Sequence, residues 1–256
     1  MSYRNVTIER RGAVALVRFD RGGNLNAFDQ ETILELTDVA RAFQDDLETR
    51  AVVLTGTAKA FSAGIDLKDP ATWAQPESDL ALRNRSYRGV RLCKAWEDMP
   101  QVTIAAMEGL AVGAGVAIAL ACDLRVLAND AYLYVPEVKI GLNLQWGALP
   151  RLISLVGPAR AKRIVILCEK MGARQALDWG LVDEVAEPGR AVDEAFRLAA
   201  AAAAMPGATT AMVKEAINAT ANALHHASAY ADADQSALTR TFRDAIAARA
   251  AFSERK

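Results

Sequence analysis

Three short runs in the first half of the chain are apolar without alternation: Arg50-Ala-Val-Val-Leu-Thr55, Val102 to Met107 and Asp123 to Leu127. Runs of this length without a polar face suit strands buried on both sides, the mark of a mostly parallel sheet covered by helices. Helical patterns stand between them. Glu31 to Leu47 places Ile33, Leu34, Leu36, Val39, Ala40 and Phe43 on one face, with Asp29 as N-cap, and a second long helix is predicted over Leu80 to Glu97. Val6 to Arg10 and Ala13 to Phe19 alternate as strands joined at Arg11-Gly12. From Leu149 onward the pattern is helical over Ala159–Leu167, Ala173–Trp179, Val192–Met205, Ala208–Leu224 and Tyr230–Arg249, with one short strand at Leu181–Val185. The alanine-rich stretch Leu198 to Ala204 reads as a helix packed closely on a neighbour, since alanine has the highest helix propensity. The expectation is an α/β core over residues 1–190 and a helical C-terminal region over 191–256.

Charge narrows the function classes. Thirty Lys and Arg against 31 Asp and Glu leave a net charge of −1, without the basic stripe that nucleic-acid binding requires. The longest apolar run, Leu110 to Cys122, is too short to cross a bilayer and is interrupted by two glycines. The start of the chain has no secretory apolar region, so the expected location is cytoplasmic and no membrane partner is expected. Cys93, Cys122 and Cys168 are spaced for neither a disulfide framework nor a zinc site.

Glycine punctuation marks the candidate chemistry. Gly113-Ala-Gly115 follows a strand and opens a helix, but Ile118 stands where a dinucleotide fingerprint needs its third glycine. Gly56-Thr-Ala-Lys-Ala-Phe lacks the Gly-Lys-Ser/Thr of a P-loop. What remains is free backbone N–H groups at a helix start, suited to an anion or a developing oxyanion. Ala60-Phe-Ser-Ala-Gly-Ile-Asp-Leu-Lys68 reads as a strand end turning sharply into a helix, with Gly64 free to adopt unusual backbone angles. Together the two segments offer two backbone donors to one carbonyl oxygen.

These residues carry a resemblance. Ala60 to Lys68, Glu108-Gly-Leu-Ala-Val-Gly-Ala-Gly115, Ala121-Cys-Asp123 and Pro136-Glu137 resemble the crotonase (enoyl-CoA hydratase/isomerase) superfamily. So do Asn24-Leu-Asn-Ala27, Ala176-Leu-Asp-Trp-Gly-Leu-Val-Asp183 and the closing Ala251-Phe-Ser-Glu-Arg255, in the same order. The resemblance implies a crotonase-like spiral of repeated ββα units with a helical C-terminal trimerisation region. It implies homotrimers, often paired into hexamers, an acyl-CoA substrate, and no metal or redox cofactor. It puts the oxyanion N–H groups on Ile65 and Ala114, the latter beside Gly113 and usually glycine in the family. It lays coenzyme A along Leu25, Ala27, Ala60, Ala63, Asp66 and Leu67, with Phe252 and Arg255 closing over the adenine and phosphates. Leu25, Ala27 and Leu67 suit plain core packing equally well.

The acids distinguish reactions within the family. Its hydratases hold two glutamates, because hydration needs a base for water and an acid for the α-carbon. Here the second position is Glu137 and the first is Ala117. A dienoyl-type isomerase would want aspartates at Ala117 and Gln145. One glutamate facing the α-carbon is the pattern of Δ3,Δ2-enoyl-CoA isomerases, which is the favoured reading. The alternatives are a hydratase, decarboxylase or C–C lyase with an acid recruited from elsewhere, such as Tyr134, and an acyl-CoA-binding member without turnover. Tyr134 and Trp146 are candidates for the acyl pocket wall. Glu108 and Asp123 are read as satisfying backbone groups, and His225 and His226 as a solvated surface.

Overall fold

A computed structural model of the chain describes residues 3–73 and 78–254. It opens with a hairpin, β1 (Val6–Arg11) and β2 (Val14–Phe19), turned at Gly12. Helix α1 (Gln30–Gln44) starts on the Asp29 carboxylate, which accepts the Thr32 N–H at 2.8 Å. Then come β3 (Ala51–Thr55), α2 (Pro70–Trp73), α3 (Asp79–Ser86) and α4 (Arg88–Glu97). The middle of the chain holds β4 (Val102–Met107), β5 (Leu110–Val112), α5 (Ala114–Ala121), β6 (Leu124–Ala128) and β7 (Tyr132–Tyr134). After it lie α6 (Ala148–Val165), β8 (Met171–Gly172), α7 (Ala173–Asp178), β9 (Glu184–Ala186) and α8 (Ala191–Ala203). The chain ends in α9 (Gly207–Ala221), α10 (His225–Ala229), α11 (Asp232–Thr239) and α12 (Arg243–Glu254).

The strands form two layers. The larger sheet has the order β1-β2-β3-β4-β6-β9 and is parallel from β2 onward. The smaller has the order β5-β7-β8, with β5 and β7 parallel. Each turn of the chain puts one strand in the large sheet, steps to the small one, and returns through a helix, so the fold is a spiral of ββα units. Earlier turns reach the small layer through the single bridges Ser62↔Ala111 and Phe28↔Ile65. These bridges matter for function, because they align the Gly64 loop beside the start of α5.

Each face of the large sheet has its own cover. Val17, Val52, Leu54 and Ala105 pack in one buried cluster with Ile33 and Leu36 of α1, Leu92 and Trp96 of α4, and Ile118 of α5. On the other face Leu16, Val53, Ile104 and Val126 meet Ala191, Ala195 and Ala199 of α8, all three fully buried. Alanines four apart present a flat stripe, which is why the alanine-rich stretch can lie close on the sheet.

Some expected boundaries differ. The helix predicted over Leu80–Glu97 breaks at Tyr87, whose hydroxyl is tied to Asp234 and to the Tyr230 carbonyl. The helix predicted from Ala159 starts at Ala148 and bends at Gly157-Pro158, where φ is +76°. Tyr230–Arg249 is two helices, α11 and α12. Ala60–Lys68 reaches a helix only at the short α2, from Pro70; before it, N–H and C=O groups of the segment bond to Glu108, Leu110 and Phe28 as edge pairing with the small layer.

Glu108 and Asp123 do satisfy backbone groups. Glu108 reaches from the end of β4 to the start of α8, where its carboxylate accepts the Gly189 N–H at 3.1 Å and the Ala191 N–H at 2.9 Å. Asp123 accepts the Thr103 N–H at 2.7 Å and pairs with Lys214. Glu108→Ala leaves the buried Ala191 amide and the more exposed Gly189 amide without acceptors, so it should lower unfolding free energy by about 1–3 kcal/mol. Urea denaturation of the purified variant measures this directly.

Candidate active site

Two glycines without side chains make the centre of the site. Gly64 has φ +89°, and a Cβ there would stand 2.9 Å from the Val112 carbonyl and 3.6 Å from the Ala114 nitrogen. That approach brings Ile65, the next residue, beside the first residue of α5, Ala114. Phe28 bonds to either side of Ile65, donating to the Gly64 carbonyl and accepting from Asp66. Among the described residues, neither the Ile65 N–H nor the Ala114 N–H has a hydrogen-bond partner. Ala114 also lies at the positive end of the α5 dipole. Because it is the first helical residue, its Cβ needs no unusual backbone angle there.

Gly113 has φ +53°, and a Cβ on it would stand 2.3 Å from Glu137 Oε1. The Glu137 carboxylate thus lies directly against the turn that presents the Ala114 N–H. A one-turn 3-10 helix, Glu137–Ile140, carries it, closed by Gly141 at φ +68°. The Leu142 N–H donates to the Glu137 carbonyl at 2.9 Å, and α12 packs so closely that a Cβ on Gly141 would meet Ala245 Cα at 2.4 Å. Glu137 Oε2 is buried with no hydrogen-bond partner among the described residues. Burial without a compensating cation raises its pKa from the usual carboxylate value to about 7.

Both features open into a cavity of about 940 Å³. Ala117, 1% exposed, is in its wall on the helix that starts at Ala114. Of the expected residues, Leu25, Ala27, Ala63, Ile65, Asp66, Leu67, Gly113, Ala114, Tyr134, Glu137 and Trp146 all line the cavity. Ala60 does not: it is fully buried, and its carbonyl closes the Thr57 turn. The Asp66 carboxylate is committed to structure. It accepts from Arg21, Asn24 and the Lys68 N–H, and these bonds outweigh its burial and hold its pKa below the usual value. The Phe252 side chain and Arg255 lie outside the described residues.

Trp146 stands on the loop between Glu137 and α6. Its ring covers Gly89, where a Cβ would fall 1.8 Å from the indole, and meets Phe28 edge-on at 5.9 Å. Asp232 of α11 holds this loop by accepting the Gly147 N–H at 2.7 Å, while Asn143 donates to the Asp232 carbonyl. Sequence reasoning missed Lys68, Lys139, Leu144 and Arg240 in the wall. Lys68 closes one quoted motif and Lys139 lies just past another, so both could have been flagged. Arg240 carries no local signal, since it reaches the cavity from the helical end of the chain. Tyr132 and Tyr134 face the same way, both under Lys170, but only Tyr134 lines the cavity. His225 bonds to Ser154 across α6 and α10, whereas His226 is exposed.

Chemically, the site offers two unpaired N–H groups to one oxygen, beside a carboxylate that is basic near neutral pH. Among the described residues, no group of three or more His, Cys, Asp or Glu side chains is placed to hold a metal ion. No described helix is long and apolar enough to cross a membrane. The sequence matches the Enoyl-CoA hydratase/isomerase family over residues 9–256. The chain belongs to that family. It is 32% identical to the short-chain-enoyl-CoA hydratase of Clostridium acetobutylicum over 219 residues, covering 85% of this chain and 82% of that one. It is 32% identical to the crotonyl-CoA hydratase of Syntrophomonas wolfei over 200 residues, 78% of this chain and 75% of that one. The crystal structure of an enoyl-CoA hydratase from Mycobacterium avium subsp. paratuberculosis superposes with a TM-score of 0.87 at 25% identity, covering 100% of this chain and 98% of that one. This enoyl-CoA hydratase/isomerase family member thus shares with its relatives both fold and length.

The raised Glu137 pKa has a stability consequence. The folded protein holds the Glu137 proton up to pH about 7, whereas the unfolded chain releases it near 4.5. The contribution is therefore fully present below pH 4.5 and is lost as pH rises through 7. Glu137→Gln, which cannot ionise, should be more stable than wild type at pH 8, by on the order of 2–3 kcal/mol. The gap should close below pH 4.5. Paired urea titrations at the two pH values read the difference.

Proposed function

We propose that the protein binds a coenzyme A thioester in this cavity and moves the acyl double bond between C3 and C2 through a thioester enolate. The observation that carries the reading is one basic, buried carboxylate, Glu137, in a wall where Ala117 fills the position of a hydratase's other glutamate. Asp66, the other described acid in the wall, is spent on Arg21, Asn24 and the Lys68 amide. In this mechanism Glu137 takes a proton from C2, and the electron pair moves onto the thioester oxygen. The Ile65 and Ala114 N–H groups receive that oxygen, each contributing about 3–4 kcal/mol by the usual worth of such donors. Protonated Glu137 then delivers the proton to C4, so one carboxylate serves as base and acid. Coenzyme A would run along Leu25, Ala27, Ala63 and Leu67, with Lys68 near its phosphates and the acyl chain toward Trp146.

Hydration is the second reading, and the names of the relatives favour it. It needs a second proton donor, for which the Tyr134 hydroxyl in the wall is the candidate. A decarboxylase or C–C lyase would use the same oxyanion site. A panel of 3-enoyl-, 2-enoyl-, 3-hydroxyacyl- and malonyl-type CoA esters in D2O, followed by mass spectrometry, separates these readings. We expect deuterium at C2 and C4 with no gain of water and no loss of CO2. Glu137→Gln should keep acyl-CoA affinity and lose turnover by roughly 10²–10⁴-fold. Wild-type C2 exchange rates in that variant would remove Glu137 as the base.

The proposed assembly is a homotrimer or a pair of trimers. In α9 Lys214 alone is buried, while Met212, Val213 and Ile217 are exposed beside an apolar groove of about 670 Å³. A helix this apolar with its face uncovered calls for a partner surface, and a second copy of the chain supplies one. Light scattering at micromolar concentration should give a mass of three or six chains; a clean monomer would refute it.

A further inference from the structure

Trp146 combines a bulky side chain with a left-handed backbone, φ +66°, and Gly147 after it repeats the angle. A bulky residue at positive φ is strained, and it persists only where its surroundings over-determine it. Here they do. Arg151 of α6 donates to the Trp146 and Gly147 carbonyls, both at 3.0 Å, and is itself held by Glu97 of α4. Asp232 of α11 accepts the Gly147 N–H. The indole lies in a notch on α4 that exists because residue 89 is glycine: a Cβ there would stand 1.8 Å from Trp146 Cε2. Main chain and ring are thus both fixed, and the residue is 6% exposed.

The fixed ring stands where three spaces meet. Trp146 lines the acyl cavity, a smaller chamber of about 70 Å³ that adjoins it, and an outer groove of about 1020 Å³ running past Tyr87 and Val90. Gly89, under the indole, lines the small chamber and not the acyl cavity. The indole therefore separates the two. It also stands close to the reacting centre: its ring meets Phe28 at 5.9 Å, and Phe28 bonds to either side of Ile65. We propose that Trp146 is the end stop of the acyl cavity and confines the substrate to coenzyme A thioesters of short acyl chains, up to about six carbons. Methylenes short of the indole leave water for the wall of Ile140, Leu142 and Leu144, whereas those beyond it find no apolar space to enter. The inference rests on the acyl-CoA reading of the cavity and names its substrate class.

Calorimetric titration with saturated butyryl-, hexanoyl-, octanoyl- and decanoyl-CoA tests it. Each methylene buried should tighten binding about fourfold, so affinity should rise from butyryl to hexanoyl and then stop, with decanoyl-CoA no more than about threefold tighter than hexanoyl-CoA. In Trp146→Gly, whose backbone suits φ +66°, the rise should continue, and that ratio should grow about tenfold or more. A merely structural defect would weaken every ester alike and leave the ratio unmoved. The wild-type series stands even if the variant fails to fold. A wild-type affinity that keeps climbing through decanoyl-CoA, or a ratio unmoved in the folded variant, would overturn the proposal and leave the acyl-CoA reading intact. Failure of every ester to bind would overturn both.

Discussion

A Cβ at position 113 would stand 2.3 Å from Glu137 Oε1, so the carboxylate can lie against the start of α5 only because glycine occupies that position. The same absence of a side chain at Gly64 lets the Ile65 amide come beside Ala114. Two unpaired backbone N–H groups and one carboxylate are therefore brought together by close main-chain approach, not by long side chains. Such a centre is rigid by construction. Its N–H groups belong to a helix terminus and a bridged strand edge, so the reaction proposed above would need no reorganisation of them as negative charge develops.

Keeping Glu137 basic has a cost, since its carboxylate is enclosed without a cation beside it. The surrounding fold is arranged to hold that unfavourable placement. Gly141 lets α12 press on the 3-10 turn that bears Glu137, and Asp232 fixes the Trp146 loop that follows it. Behind these, the large sheet is sealed by α1, α4 and α5 on one face and by the alanine stripe of α8 on the other. Glu108 links the end of β4 to the start of α8, joining the strand that leads into the oxyanion turn to the helix behind the sheet.

The cavity wall mixes cationic side chains with a buried carboxylate. Lys68, Lys139 and Arg240 stand in its wall together with Glu137 and the Ile65–Ala114 centre, and Arg88 lines the smaller chamber that adjoins it.

Much of the architecture could be read from the residues alone. Unalternating runs at Ala51–Thr55 and Val102–Met107 are too short and too apolar to be anything but strands buried on both faces, and both are central strands. Asp29 announced α1, and the order of the short motifs announced the family, because backbone-donor sites demand glycine at fixed places. The three-residue strands of the small layer were not legible, since so short a segment has no periodicity of its own and exists only through its neighbour's hydrogen bonds. The edge pairing of Ala60–Lys68 was hidden for the same reason: its partners are Glu108, Leu110 and Phe28, distant along the chain. Ala60 accordingly points into the core instead of the cavity. The sequence by itself determined the sheet, its helical cover, the two donor glycines and the single carboxylate, because each is set by local pattern. Only the tertiary structure decided that Asp66 is tied up by Arg21, that Glu137 is desolvated, and that Arg85, Arg88 and Arg240 line one chamber with Trp146. Burial and charge pairing depend on segments the chain separates widely, and no local pattern encodes them.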